Sequence, residues 1–157
     1  MAAPVTGLER SRQVATGAQP SNGLSVRRLV AVGAGLAVVA TAADVIVAMA
    51  LRSALQVPAG FSPLALPGVA STTIVGMIGA TVVFGWLARV RPDPRSTFVR
   101  IAAAALVLSW VPDLVVGATR IFPATTENGI LSLMILHVVA AACAVGILCG
   151  FGLRAAE

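Results

Sequence analysis

Residues 29–51 read LVAVGAGLAVVATAADVIVAMAL, an apolar stretch in which Asp44 is the only charged residue. A transmembrane helix needs about 20 predominantly apolar residues, so this stretch is long enough to cross a bilayer. Three further stretches of similar length and composition follow it. The sequence therefore predicts an all-α membrane protein with four transmembrane helices, over residues 29–51, 68–88, 98–119 and 129–153.

The composition of the chain places it in the same class. Hydrophobic residues make up 58% of the 157 residues and charged residues 11%, whereas soluble domains are about 45–50% apolar and about 25% charged. The net charge of +5 comes from arginine alone, and the arginines flank apolar stretches without interleaved aromatic residues. This distribution argues against nucleic-acid binding. The lack of lysine, with abundant Ala, Val and Gly, suggests a bacterial protein from a GC-rich genome.

Outside the spans, the sequence predicts a tail and connecting loops. Residues 1–26 are small and polar, without apolar periodicity, which predicts a disordered cytoplasmic tail. Residues 27–157 then form the four-helix transmembrane domain. The longest internal loop, residues 52–67, is apolar but interrupted by prolines, which predicts an irregular segment at the membrane interface. These prolines are Pro58, Pro63 and Pro67.

The arginines predict the orientation of the spans. With four spans, both termini and the loop between the second and third spans lie on one side of the membrane. Nine of the 11 arginines fall on that side, and Arg52 and Arg120 fall on the other. Because positive charge favours the cytoplasmic side, we expect an up-down bundle with cytoplasmic N- and C-termini. The protein is expected to be a multi-pass protein of the cell membrane, surrounded by the lipid bilayer.

The predicted spans contain three ionisable residues, which are Asp44, Asp113 and His137. At about 1.5 Å per residue, all three lie about 9–12 Å below the outer boundary of the membrane. Thr72 and Thr73 of the second span lie slightly closer to that boundary, and Ser109 lies one turn before Asp113. A charge that faces lipid costs about 2.5–3.5 kcal/mol or more. We therefore expect these residues to form a polar cluster inside the bundle, where Asp113 accepts a hydrogen bond from His137.

The chemistry of this cluster has three alternatives. Its hydrogen bonds could serve only to fix the register of the helices, or the cluster could bind a ligand or relay protons. Two carboxylates and one imidazole could also hold a divalent metal. No second histidine and no metal-binding spacing are present, so no metal and no cofactor are expected. No catalytic motif is present either, and we predict no catalytic residues and no enzymatic activity.

Two functions follow from these alternatives. A structural or partner-binding role, with a homo-oligomer or an unidentified membrane partner, predicts that Asp113→Asn and His137→Ala lower the folded yield. A small proton-coupled transporter or ligand-binding protein that uses Asp44, Asp113 and His137 predicts that the same variants fold but lose a pH-dependent signal. The sequence favours the first role, because polar residues within spans often serve only as contacts between helices.

Three segments carry a resemblance to a known family. They are Phe61-Ser62-Pro63-Leu64 before the second span, Leu108-Ser109-Trp110-Val111-Pro112-Asp113-Leu114 in the third, and Leu133-Met134-Ile135-Leu136-His137-Val138-Val139-Ala140-Ala141 in the fourth. From about Leu29 to Leu153, the chain resembles a family of small four-helix membrane proteins of unknown function, found mostly in actinobacteria. The resemblance implies the four-helix membrane fold and brings no activity, substrate or cofactor with it.

Overall fold

A computed structural model describes residues 25–152, and in it the chain forms four long helices. Helix α1 spans Val26–Ala54, α2 spans Leu66–Val90, α3 spans Pro94–Thr119 and α4 spans Glu127–Phe151; a short 3₁₀ helix, Ser62–Leu64, precedes α2. Within the described residues there is no strand. All four helices are long and apolar enough to cross a membrane. The predicted all-α membrane fold with four helices is confirmed, whereas the predicted tail lies outside the described residues except at its end, where α1 begins.

The helix starts follow from local sequence. Pro67 lies in the first turn of α2, where a proline is tolerated because that turn needs no backbone N–H donor. The side chain of Asp93 caps α3 by accepting a hydrogen bond from the backbone N–H of Ser96, at 3.2 Å. Thr126 caps α4 in the same way, accepting from the N–H of Gly129 at 3.1 Å. These caps satisfy backbone donors that would otherwise lack partners at the helix ends.

The loop between α1 and α2 folds onto the bundle. The position of this loop at the membrane interface stays a prediction, but Phe61 and Leu64 are 0% and 1% exposed and so lie inside the bundle. The physical reason is that these side chains find apolar partners on α2 and α4, so packing removes them from the surface. Asn128 fixes the loop to α4, because its Nδ2 donates to the carbonyl of Leu55 at 2.9 Å.

Two apolar clusters fill the interior and leave a polar layer between them. The first cluster consists of Leu36, Ala40, Met77, Phe84, Leu87, Phe98, Ala144 and Leu148. The second consists of Ala48, Val57, Phe61, Leu64, Val69, Ile130 and Leu136. On α1, Asp44 lies one turn from a member of each cluster on the same helix face, and Thr73 holds the same position on α2. The helices thus place buried polar side chains between two dry layers.

Glycines allow α1 and α2 to approach closely. A Cβ atom added at Gly33 would collide with the side chain of Thr81, and one added at Gly85 would collide with the side chain of Leu29. Small residues at such contacts are typical of transmembrane helices, because van der Waals packing drives their association. A side chain at position 33 would therefore require Thr81 to move away from α1, and one at position 85 would require the end of the Leu29 side chain to move.

Helix α3 is the least enclosed of the four. Only 6% of the residues in its most apolar 18-residue window are buried, against 22–28% in the other helices. It packs chiefly against α4 and much less against α2. This arrangement leaves space between α2 and α3, at the level of the polar layer.

Candidate functional site

A cavity of about 520 Å³ lies at the level of the polar layer, and all four helices line it. Its polar lining includes Asp44 from α1, Thr72 and Thr73 from α2, Asp113 from α3 and His137 from α4. These residues lie in the second halves of α1 and α3 and in the first halves of α2 and α4. The structure therefore brings five of the six predicted cluster residues to one cavity.

Asp44 is buried in the cavity wall and has one partner. Asp44 is 2% exposed. Thr73 Oγ1 donates a hydrogen bond to Asp44 Oδ2 at 2.7 Å. The second carboxyl oxygen, Oδ1, is buried and has no hydrogen-bond partner among the described residues. Buried polar atoms without partners are rare in folded proteins. This oxygen is therefore free to accept a hydrogen bond from a group that is not part of the chain.

Asp113 and His137 meet across the contact between α3 and α4. His137 Nδ1 lies 3.2 Å from Asp113 Oδ2 and 2.9 Å from the carbonyl oxygen of Leu133. A carbonyl oxygen only accepts hydrogen bonds, so this contact assigns a hydrogen to Nδ1. Asp113 Oδ2 is buried and lacks a hydrogen bond of good geometry. The single N–H of Nδ1 is thus directed at Leu133, and Asp113 Oδ2 lies beside the imidazole without accepting a hydrogen bond of good geometry.

Two other polar side chains of α3 take different roles. Ser109 Oγ donates to the carbonyl of Leu106 at 2.7 Å and does not line the cavity. A hydroxyl in a span satisfies itself on its own helix backbone when no partner lies nearby, which explains why Ser109 is separate from the other predicted residues. Trp110 Nε1 donates to the carbonyl of Met134 at 3.4 Å and so connects α3 to α4.

The walls of the cavity are mainly apolar, and the sequence prediction did not include them. Gly76 lies one turn after Thr72 on α2 and also lines the cavity. A Cβ atom added at Gly76 meets nothing within 4 Å, so this glycine enlarges the cavity and does not admit a neighbouring helix. Phe122 reaches the cavity from the loop between α3 and α4, and nothing in its sequence context predicts that position.

The cavity carries more acidic than basic groups. Its lining includes the two carboxyl groups of Asp44 and Asp113, and His137 is the only lining side chain that can carry positive charge. Within residues 25–152, no group of three His, Cys, Asp or Glu side chains is placed to hold a metal ion. The arrangement can therefore accept hydrogen bonds and bind positive charge inside an apolar enclosure.

The family comparison agrees with the resemblance that the three segments carry. No curated protein matches the chain, and no solved structure matches it. A family model does match, over residues 22–152, which includes every helix of the bundle and every residue of the cavity. The chain therefore belongs to DUF6069, a family of unknown function.

Proposed function

We propose that this protein is a multi-pass membrane protein that binds a small, mainly apolar ligand in the cavity between its four helices. The observation that carries this proposal is Asp44, a residue of the cavity lining whose buried Oδ1 has no partner among the described residues. A residue that only fixed the helix register would have its hydrogen bonds completed by the chain, because an unmade buried hydrogen bond is costly.

The dimensions and chemistry of the cavity support binding. Ligand sites have volumes of about 300–1,000 Å³ and apolar walls with a few polar groups, and the cavity, at about 520 Å³, has this composition. The role proposed is binding, either alone or coupled to transport, and no catalytic step is assigned to these residues.

The orientation of the bundle is also part of the proposal. Arg27, Arg28 and the arginines between α2 and α3 would lie in the cytoplasm, and Arg52 and Arg120 outside it, as the positive-inside rule favours. This gives an up-down bundle in the cell membrane with both termini cytoplasmic. The cavity then lies in the outer half of the bilayer.

A paired substitution tests the cavity. Gly76→Leu would place its side chain in space that is open next to Thr72, where an added Cβ meets nothing within 4 Å. A Cβ added at Gly79 also meets nothing within 4 Å, but Gly79 lies away from the cavity lining. We expect Gly76→Leu to abolish saturable binding of small probes and Gly79→Leu to retain it. The probes are radiolabelled 4-phenylbutylamine and 4-phenylbutan-1-ol, measured on the protein in phosphatidylcholine nanodiscs against empty nanodiscs.

Two outcomes would overturn the proposed function. One is that neither probe binds the unmodified protein above empty nanodiscs. The other is that Gly76→Leu and Gly79→Leu bind the probes equally, because binding would then occur outside the cavity. Thermal unfolding of both variants serves as the control for folding.

The structural or partner-binding role is the second candidate, and the exposure of α3 favours it. Because only 6% of the apolar window of α3 is buried in the monomer, its surface is available to a second copy or to another membrane protein as well as to lipid. Oligomeric state in nanodiscs, measured as particle mass, distinguishes these cases. A particle mass that corresponds to one copy of the chain and no other protein would argue against this role.

A further inference from the structure

We infer that the ligand is a lipophilic organic ammonium ion whose N–H groups bind Asp44, a deepening that rests on the proposed function. The inference comes from three properties of the cavity, which are its balance of charge, its balance of hydrogen-bond donors and acceptors, and its apolar walls. The first two properties concern the carboxyl groups, chiefly that of Asp44, and the third concerns the walls.

The charges around Asp44 favour a cationic ligand. Asp113 has His137 as its neighbour, with Nδ1 and Oδ2 separated by 3.2 Å. Asp44 has only the uncharged hydroxyl of Thr73, and among residues 25–152 no cationic nitrogen lies within 4.0 Å of its carboxyl oxygens. A buried carboxylate is stabilised by a counter-charge, and in a membrane span that requirement is stronger. A monovalent cation beside Asp44 would complete the pairing.

The balance of hydrogen bonds requires a donor. A carboxylate can only accept hydrogen bonds, and Asp44 Oδ1 and Asp113 Oδ2 both lack a hydrogen bond of good geometry. Two nearby donors are engaged, because Thr73 Oγ1 donates to Asp44 Oδ2 and His137 Nδ1 contacts the carbonyl of Leu133. The hydroxyls of Thr41, Ser62 and Thr72 make no hydrogen bond to Asp44 Oδ1 or Asp113 Oδ2. A primary ammonium group brings three N–H donors together with its charge. A quaternary ammonium group brings the charge without donors.

The walls require an apolar body on the same ligand. The lining outside the polar residues includes Val69, Met77, Phe122, Leu133 and Leu136. These side chains offer dispersion contacts and no hydrogen bonds, so a small hydrated cation would lose its water shell without replacement. The two carboxyl groups disfavour an anionic ligand. The ligand class that satisfies all three properties is an amine with a hydrocarbon body.

The experiment compares three probes that differ only at one end. They are 4-phenylbutylamine, 4-phenylbutan-1-ol and 4-phenylbutyltrimethylammonium, with affinities measured on the full protein in phosphatidylcholine nanodiscs. We expect the amine to bind at least about tenfold more tightly than the alcohol, because the ammonium group pairs its positive charge with the carboxylate in addition to donating hydrogen bonds, whereas the alcohol only donates. We also expect the amine to bind more tightly than the trimethylammonium probe, which cannot donate.

A pair of carboxyl substitutions tests the position of the cation. Asp44→Asn keeps the shape of the side chain but removes its charge, and we expect it to reduce amine affinity at least about tenfold while alcohol affinity changes little. The matched control is Asp93→Asn, which removes a charge outside the cavity and leaves a side chain that still caps α3. It should bind all three probes as the unmodified protein does.

The results separate this inference from the proposed function. Equal affinities of the amine and alcohol on the unmodified protein would overturn the ligand class, and so would unchanged amine binding in a folded Asp44→Asn protein. In that case, if the unmodified protein binds the probes and Gly76→Leu does not, the proposed function stands and only the ligand class is wrong. If Asp44→Asn does not fold, the comparison of the three probes on the unmodified protein decides the ligand class alone.

Discussion

The hydrogen bond between Thr73 and Asp44 permits a quantitative prediction. Thr73→Val replaces the hydroxyl with a methyl group of similar size, so packing changes little while the 2.7 Å bond to Asp44 Oδ2 is lost. Because Asp44 Oδ1 already lacks a partner, the substitution leaves the buried carboxyl group without any donor from the described residues. The free energy of unfolding should therefore fall.

The size of the loss follows from the surroundings of the bond. Side-chain hydrogen bonds between transmembrane helices contribute on average about 0.6 kcal/mol and at most about 1.7 kcal/mol. Bonds to charged groups in soluble proteins contribute about 1.5–3 kcal/mol. Thr73 is 8% exposed and Asp44 2% exposed, so solvent cannot replace the lost donor. We expect the upper end of the membrane range, about 1.5 kcal/mol.

The assay is unfolding of the purified protein in mixed micelles by increasing SDS, followed by circular dichroism. The matched control is Thr72→Val, because Thr72 is exposed and should cost less than about 0.5 kcal/mol. A double-mutant cycle with Asp44→Ala isolates the bond, since Thr73→Val should cost almost nothing when the carboxyl group is absent. Equal losses from Thr73→Val in both backgrounds would refute the reasoning, as would equal losses from the Thr72 and Thr73 substitutions.

Two further predictions concern packing. Gly33→Ala should lower the SDS concentration at the unfolding midpoint, because its Cβ would collide with Thr81, and Thr81→Ala should restore it. Gly35→Ala is the control, since nothing lies within 4 Å of a Cβ added at Gly35. This variant should have unchanged stability or be more stable by up to about 1 kcal/mol. A loss of stability in Gly35→Ala equal to that in Gly33→Ala would contradict the steric explanation. Phe84→Ala should cost about 2–3 kcal/mol by the same assay, less than in a soluble protein because lipid removes the transfer contribution. Phe84 is 0% exposed and packs edge-on against Phe98 with ring centroids 5.2 Å apart, so a loss below about 0.5 kcal/mol would show that this contact is not part of the stable core.

Part of the candidate site was predictable because depth in a membrane follows from position along a helix. Asp44, Asp113 and His137 were expected at one level, and the cavity lining contains all three. A hydrogen bond from His137 to Asp113 was also expected. Their Nδ1 and Oδ2 atoms lie 3.2 Å apart, but the Nδ1 hydrogen is directed at the carbonyl of Leu133. The function of these residues as a binding site remains a prediction for the experiments above.

Other features of the site depend on helix rotation, which the sequence pattern did not resolve. Thr72 and Thr73 are neighbours in the sequence, yet only Thr73 is buried and bonded to Asp44, because consecutive residues point about 100° apart around a helix. The same uncertainty in rotation placed Ser109 in the predicted cluster. Its hydroxyl instead binds the carbonyl of Leu106 on its own helix.

The sequence by itself determined the class of protein, the number of helices and the level of the polar residues. Hydropathy is a property of each segment, and a bilayer requires about 20 apolar residues per crossing, so these conclusions need no knowledge of neighbours. Only the tertiary structure decided which carboxyl oxygen is left without a partner and where space remains. Those features depend on contacts between helices, such as that of Asp44 with Thr73, and on the open space beside Gly76, which arise from side-chain packing across the whole bundle.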